Sequence, residues 1–426
     1  MKHPKINVLL TIIFLTYGIS YSQSWVQQFS GSGSSLKSLA ILDENTVLVC
    51  GFSGTILKST NGGLNWISKN SSNFGALYTL KFFNLQTGYA IGGTGTEGVI
   101  YKTTNSGENW SGNFVVMDSL QGFFRCNFYS ENIWYSIALV DVEFYGTATA
   151  IYKTTNSGLN WVRKTFLVPT EYITEVNFVN ELTGHFVTRR TSIPLHGFHY
   201  VTTNGGTNWS YNPLGGNAYS VIFRDANTGF TGGEGGYIWK STNGGFNWSI
   251  AQCCPGGLQG AFSFPSANTG YSAGYGKIYK TTNGGINWMN ASASFTNIVY
   301  YDIKFLNDTV GYCVGDAGTI LKTTNGGVTA VQQTSTEIPQ TFSLSQNFPN
   351  PFNPVTSINF DIPYSSFSKL TVFDQIGREI QVLVNEQLSP GSYKYEWNAS
   401  DYPSGIYFYK LQAGDFAETK KMVLIK

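Results

Sequence analysis

Charge is what this sequence has least of: 12% of its 426 residues are Asp, Glu, Lys or Arg, and they nearly cancel to a net charge of +1. So weak a field steers the protein to neither nucleic acid nor an anionic membrane. Cysteine is scarce as well. Cys50, Cys126, Cys253, Cys254 and Cys313 are too few and too scattered for a disulfide framework, and their spacing matches no metal site. Small buried thiols are the expectation, with the adjacent Cys253–Cys254 pair the one candidate for a vicinal disulfide. Beyond the N-terminus there is no long apolar run, which argues against a transmembrane helix. What the chain does hold is 15% aromatic residues and 48 glycines. That excludes disorder, which needs low hydrophobicity and high charge, and fits an all-β protein with many tight turns.

The first 22 residues read as a signal peptide. Lys2, His3 and Lys5 form the basic region, Val8 to Tyr17 the apolar core, and Ser20 and Ser22 the small residues of a cleavage site. With no Cys nearby, a lipoprotein anchor is not expected.

The chain then repeats itself. KSTNGGLNW begins at Lys58, KTTNSGENW at Lys102, KTTNSGLNW at Lys153, VTTNGGTNW at Val201, KSTNGGFNW at Lys240, KTTNGGINW at Lys280, and a truncated KTTNGGV at Lys322. The box asparagines Asn61, Asn105, Asn156, Asn204, Asn243, Asn283 and Asn325 are spaced by 44, 51, 48, 39, 40 and 42 residues. A period near 40 built of short β-patterns predicts four-stranded propeller blades. In one unit, Tyr219 to Phe223 reads as strand a, Gly229 to Gly232 as b, Tyr237 to Lys240 as c, and Trp248 opens d. The Asn suits an Asx-turn, the glycines accept positive φ, and the Trp supplies area to pack between blades. The box Lys alternates with apolar residues and reads as solvated. The seventh box has no Trp, yet Gln23-Ser24-Trp25-Val26 matches the segment after a box. The N-terminal strand is therefore expected to complete the last blade, pairing seven boxes with Trp25, Trp66, Trp110, Trp161, Trp209, Trp248 and Trp288 and removing two open edges.

These boxes resemble the Asp-box (BNR) repeats of sialidases and other propellers. The Gly-Tyr-Ala-Ile-Gly-Gly run before a box is similar to the photosystem II assembly/stability factor repeats. The resemblance covers residues 24 to 330 and implies a seven-bladed propeller whose boxes are structural. Asn stands where Asp is usual, so the boxes offer no carboxylates for Ca²⁺. Residues 23–330 are thus assigned to the propeller and 331–341 to a polar linker.

From 342 to 426 the pattern changes to alternating strands of a small Ig-like antiparallel sandwich. QNFPNPFNP, VFDQIGRE, YPSGIYFYKL and the terminal KKMVLIK resemble the type A C-terminal sorting domain of the type IX secretion system. That resemblance implies recognition by the type IX machinery through residues 342–426. It also implies removal of the domain, and release from a Gram-negative cell or attachment to its outer-membrane surface.

No catalytic motif stands out. A sialidase would need three converging arginines, and Arg189 and Arg190 are adjacent, so on one strand they point to opposite faces. Asp141, Glu143, Glu171, Glu175 and Glu234 are the carboxylates that a glycoside hydrolase or lyase would draw on, and none lies in a recognisable motif. The longest repeat intervals place insertions between strands b and c of neighbouring blades three and four. These carry Asp141, Glu143, Phe144, Tyr145, Arg189, Arg190, His196 and His199. Mixed charge with aromatics is the composition of a binding patch. No cofactor or metal is expected, and His185, His196 and His199 have no ligand spacing. The expectation is an exported, non-enzymatic propeller that binds an extracellular glycan or protein. A carbohydrate-active enzyme is the alternative, and an assembly chaperone a distant third.

Overall fold

The computed structural model describes residues 25–69, 75–115, 120–142, 146–167, 170–191, 196–253, 259–291, 297–327, 332–335, 337–399 and 402–425. The inferred signal peptide and Cys254 lie outside them. Seven four-stranded antiparallel sheets follow one another along the chain, and two more form the C-terminal unit. Blade five shows the pattern, with strand a at Ala218–Phe223, b at Gly229–Gly233, c at Tyr237–Ser241 and d at Ser249–Cys253. Blade seven runs Tyr300–Phe305, Gly311–Gly315 and Ile320–Thr323, and its fourth strand is Val26–Gln28, paired antiparallel with Ile320–Thr323. The ring therefore closes with the N-terminal strand, as the Trp-less seventh box predicts. Trp25 is 1% exposed, donates its indole N–H to the Ala291 carbonyl at 2.9 Å, and meets Phe305 edge-on. Trp25→Ala is expected to cost about 3–5 kcal/mol, the usual loss for a buried Trp. Denaturant melts of the purified chain would measure it, and a near-neutral result would mean the ring closes elsewhere.

The boxes are hydrogen-bonded units. In the first six boxes the Asn Oδ1 accepts a backbone N–H four residues on, for instance from Asn65 to Asn61 at 2.9 Å and from Asn247 to Asn243 at 3.0 Å. That is a wider turn than the two-residue Asx-turn anticipated. The hydroxyl two residues before the Asn does as much: Thr281 Oγ1 donates to Asn283 Oδ1 at 3.0 Å and accepts from the Gly285 N–H at 2.9 Å. Gly285 needs φ +78°, and a Cβ there would overlap the Phe230 ring of the preceding blade. Every box thus joins its own c–d turn to the neighbouring blade.

Four of the six box lysines are a correction, while Lys102 is exposed as expected. All were expected in solvent, but Lys240 Nζ donates to the Gly284 carbonyl at 2.9 Å, Lys280 to Gly326 at 3.0 Å and Lys322 to Gly62 at 2.6 Å. Lys58 instead pairs with Glu108 of the next box at 2.6 Å. Each of these four ammonium groups crosses to a box carbonyl or carboxylate of the following blade, and those of Lys240, Lys280 and Lys322 also lie over the strand-b rings of Phe230, Tyr271 and Tyr312 at 5.6, 5.5 and 5.5 Å. Burial lowers the Lys280 pKa to about 8.

The C-terminal unit packs Gln332–Ser335, Gly391–Asn398, Val355–Ile362 and Ser343–Leu344 in one sheet, and Glu379–Leu388, Ser366–Phe373, Gly405–Ala413 and Phe416–Leu424 in the other. Trp397, Tyr409, Phe360 and Leu411 belong to the core of this unit. The segment Gln332–Ser335, assigned to the linker by its polar composition, is an edge strand paired with Gly391–Asn398.

Candidate binding face

Strand a of every blade lines the central channel, and each carries a bulge near its start. The bulge pushes one extra residue out of the ladder. Around the ring these extra residues are Lys37, Tyr78, Phe124, Thr174, Tyr219, Gly260 and Tyr301. They lie at the b–c end of the channel, so five of seven blades offer an aromatic ring or a lysine at this mouth. Tyr78 stands between Phe52, at 5.8 Å, and Phe124, at 5.0 Å. The Lys37 ammonium lies over Tyr301 at 3.1 Å and Phe52 at 4.2 Å, and burial there lowers its pKa to about 8 against the opposing pull of Asp316.

One step deeper, the ring is Ser38, Thr79, Arg125, Glu175, Ser220, Ala261 and Asp302, all lining a cavity of about 250 Å³. Much of this layer stitches blades together. Asp302 Oδ2 accepts from the Ser38 hydroxyl at 3.1 Å and the Leu39 N–H at 3.0 Å, and Thr79 Oγ1 accepts from the Cys126 N–H at 3.1 Å. Arg125 faces Glu175 at 3.8 Å, and burial raises the Glu175 pKa while the Arg125 charge opposes it. The next ring holds Ala40, Lys81, Asn127, Asn177, Ile222, Ser263 and Lys304, placed by their pairing with strand b.

Of the insertion patch, Glu143, Phe144 and Tyr145 lie outside the described residues. The blade-three insertion is an extended hairpin, Trp134–Val142 and Gly146–Thr154, rather than a loose loop. Asp141 is exposed and accepts from Gln121 Nε2 at 2.6 Å. In blade four Arg189 covers Tyr172 at 4.9 Å, while Arg190 approaches Glu171 at 3.5 Å and Phe198 at 5.0 Å. Glu171 is buried and accepts from the Thr188 and Tyr200 hydroxyls at 2.9 and 3.0 Å, and Glu234 Oε2 accepts from Asn217 Nδ2 at 3.1 Å. His196 is exposed.

His199 is misplaced by the sequence reading. It lies inside strand c, Phe198–Thr202, with 0% exposure, and its Nε2 faces the Nδ1 of equally buried His185 at 3.1 Å. Counting back five residues from each box Asn gives Ile56, Ile100, Ile151, His199, Ile238, Ile278 and Ile320, so blade four departs from six isoleucines. The interval-based insertion had swallowed the first residues of the strand. No group of three metal-ligating side chains occurs among the described residues.

Residues 346–426 match the family described as the secretion system C-terminal sorting domain. The class of protein is thereby defined: an all-β propeller carrying a tail that implies export by type IX secretion, to the medium or the cell surface. The propeller is similar to YCF48 from Cyanidioschyzon merolae, with a TM-score of 0.55 at 18% identity over 70% of this chain and 98% of that one. It is also similar to YCF48 bound to D1 peptide, at 0.54 and 17% over 71% and 97%, and to the WD40 propeller of Doa1, at 0.50 and 10% over 71% and 96%. These likenesses establish the fold. A search of curated proteins gives no sequence match. No described helix is long and apolar enough to cross a membrane.

Proposed function

We propose that this is an exported binding protein whose ligand meets the b–c face of the propeller, across the channel mouth and the blade-four patch. The observation that carries the reading is the ring of bulged residues, which turns aromatic side chains and a lysine toward one opening on a rigid scaffold. A structure of the same fold, YCF48, holds a peptide, which supports binding as the use of such a propeller. The described candidate carboxylates are engaged with Gln121, with Thr188, Tyr200 and Arg190, with Arg125 and with Asn217. This favours binding over hydrolysis. The ligand is a glycan or protein outside the cell, and the mature propeller is either released or held at the outer-membrane surface.

Glycan arrays and pull-downs on extracellular polymers with the mature chain test the reading. Tyr219→Ala with Arg189→Ala is expected to weaken capture by tenfold or more without lowering the melting temperature. Turnover of any captured polysaccharide would move the protein to the enzymes, and no capture of any ligand would remove the binding reading. Mass spectrometry of medium and outer-membrane fractions is expected to recover a species that starts near Gln23 and ends before about Phe342.

A further inference from the structure

At the third level of the channel, blade one contributes only Ala40, while the blades on either side contribute Lys304 and Lys81. Other residues at this level have structural partners: Asn127 accepts from the Phe178 N–H, Asn177 from Phe223 and Ser263 from Phe305, at 3.1, 3.0 and 3.2 Å. Lys304 pairs with Asp302 at 3.3 Å, a carboxylate already engaged with Ser38 and Leu39, and its charge also acts on Glu175, which Arg125 holds. Lys81 is exposed into the cavity and makes no ion pair among the described residues. Its pKa is lowered by burial and then by the Lys304 charge. The cavity is lined by three cations, Lys81, Lys304 and Arg125, against two carboxylates already engaged, Asp302 and Glu175; the two ammonium groups repel each other, and an anion between them relieves that repulsion. Above them, at the mouth, stand the rings of Tyr78 and Tyr301, which line the same cavity.

Resting on the binding reading above, we propose that blades seven, one and two form a uronic-acid subsite for an acidic polysaccharide. Lys81 and Lys304 hold the sugar carboxylate across the gap left by Ala40, and Tyr78 and Tyr301 stack on the sugar ring. The fit is one of size and character. About 250 Å³ takes a saccharide unit rather than a folded partner, and aromatic walls with a few convergent polar groups are the usual makeup of a small-ligand site. Lys37 is not part of the pincer, since it is held between Phe52 and Tyr301.

The test is titration calorimetry of the mature chain with trigalacturonate, with neutral trigalactose, and with tri-glutamate. Trigalacturonate is expected to bind at least tenfold more tightly than either, to weaken as salt is raised, and to lose at least tenfold in Lys81→Met/Lys304→Met. The melting temperature of that variant should be unchanged. Equal binding of the acidic and neutral sugars overturns the subsite, as does undiminished trigalacturonate binding by the double variant, and in both cases the broader binding reading still stands. Tri-glutamate binding as well as trigalacturonate overturns the saccharide assignment. If no saccharide binds while the arrays find a protein ligand, the subsite alone fails, and if nothing binds in either experiment both fail.

Discussion

Between pH 7 and pH 5 the propeller is expected to lose about 4 kcal/mol of folding stability through His185 and His199 alone. Both rings are fully buried at the seam between blades four and five. His185 stacks on Phe223 at 3.6 Å, His199 meets Trp248 at 4.9 Å, and Gly245 closes over His199. Their outer nitrogens, His185 Nε2 and His199 Nδ1, have no partner among the described residues. Burial holds His185 down to about 3. Burial, and then the His185 charge, hold His199 well below the ordinary imidazole range. In the unfolded chain both titrate near 6.5. The unfolded state therefore binds more protons at every pH between these values, so stability falls as the pH drops below about 6.5 and goes on falling toward 3. Each imidazole contributes about 2 kcal/mol of that loss by pH 5, against a total of roughly 5–15 kcal/mol for a typical domain. The internal repeat supplies the control. His199→Ile installs the residue that six blades already carry, and should halve the slope of stability against pH. Adding His185→Tyr and Val201→Lys, the pair found at the same positions in blades two, three, six and seven, should flatten it. Denaturant midpoints measured from pH 5 to 7.5 decide the matter. Identical slopes in the native chain and the triple variant would mean that protons reach neither ring.

The histidine pair shows where a sequence reading stops. Blade number, strand positions and ring closure were legible because each rests on a local pattern repeated seven times, and the missing Trp of the seventh box points straight to Trp25. What was lost needed knowledge of the neighbouring blade. Lys240 reads as solvated until the Gly284 carbonyl is placed beside it. The paired hydroxyls of a box, such as Thr281 and Thr282, look alike, and only strand register buries the first of them. The mouth residues escaped notice because a bulge breaks the two-residue alternation at that very point, moving Tyr78 or Tyr301 out of phase with the strand that follows. Gln332–Ser335 looked like linker because an edge strand tolerates polar residues on both faces. His199 was within reach, since registering the strands on the box Asn rather than on interval length exposes it among the isoleucines.

Asn347→Ala is expected to abolish most export of the propeller while leaving its blades intact. Asn347 is 2% exposed inside the proline-rich segment that opens the sorting domain. Its Nδ2 donates to the Pro349 carbonyl at 3.1 Å and to Thr356 Oγ1 at 2.9 Å, and its backbone N–H donates to the Tyr409 hydroxyl at 2.8 Å. The segment it shapes is the one that grips the C-terminus. Asn350 Oδ1 accepts from the Val423 N–H at 2.9 Å, and Phe352, buried against Trp397, exchanges backbone bonds with Val423 and Ile425 at 3.0 Å. The two motifs farthest apart in the domain's sequence, QNFPNPFNP and KKMVLIK, are thus one structural unit. Removing a buried amide that makes both bonds costs about 2–4 kcal/mol, a large share of what so small a core supplies. Immunoblots of periplasm, outer membrane and medium would show the propeller retained in the periplasm for Asn347→Ala and exported for Ile376→Ala, a change at an exposed turn. If Asn347→Ala is exported normally although the isolated variant melts early, the machinery reads the terminal residues as a linear signal. The contacts that bind the two motifs would then serve the stability of the tail rather than its recognition.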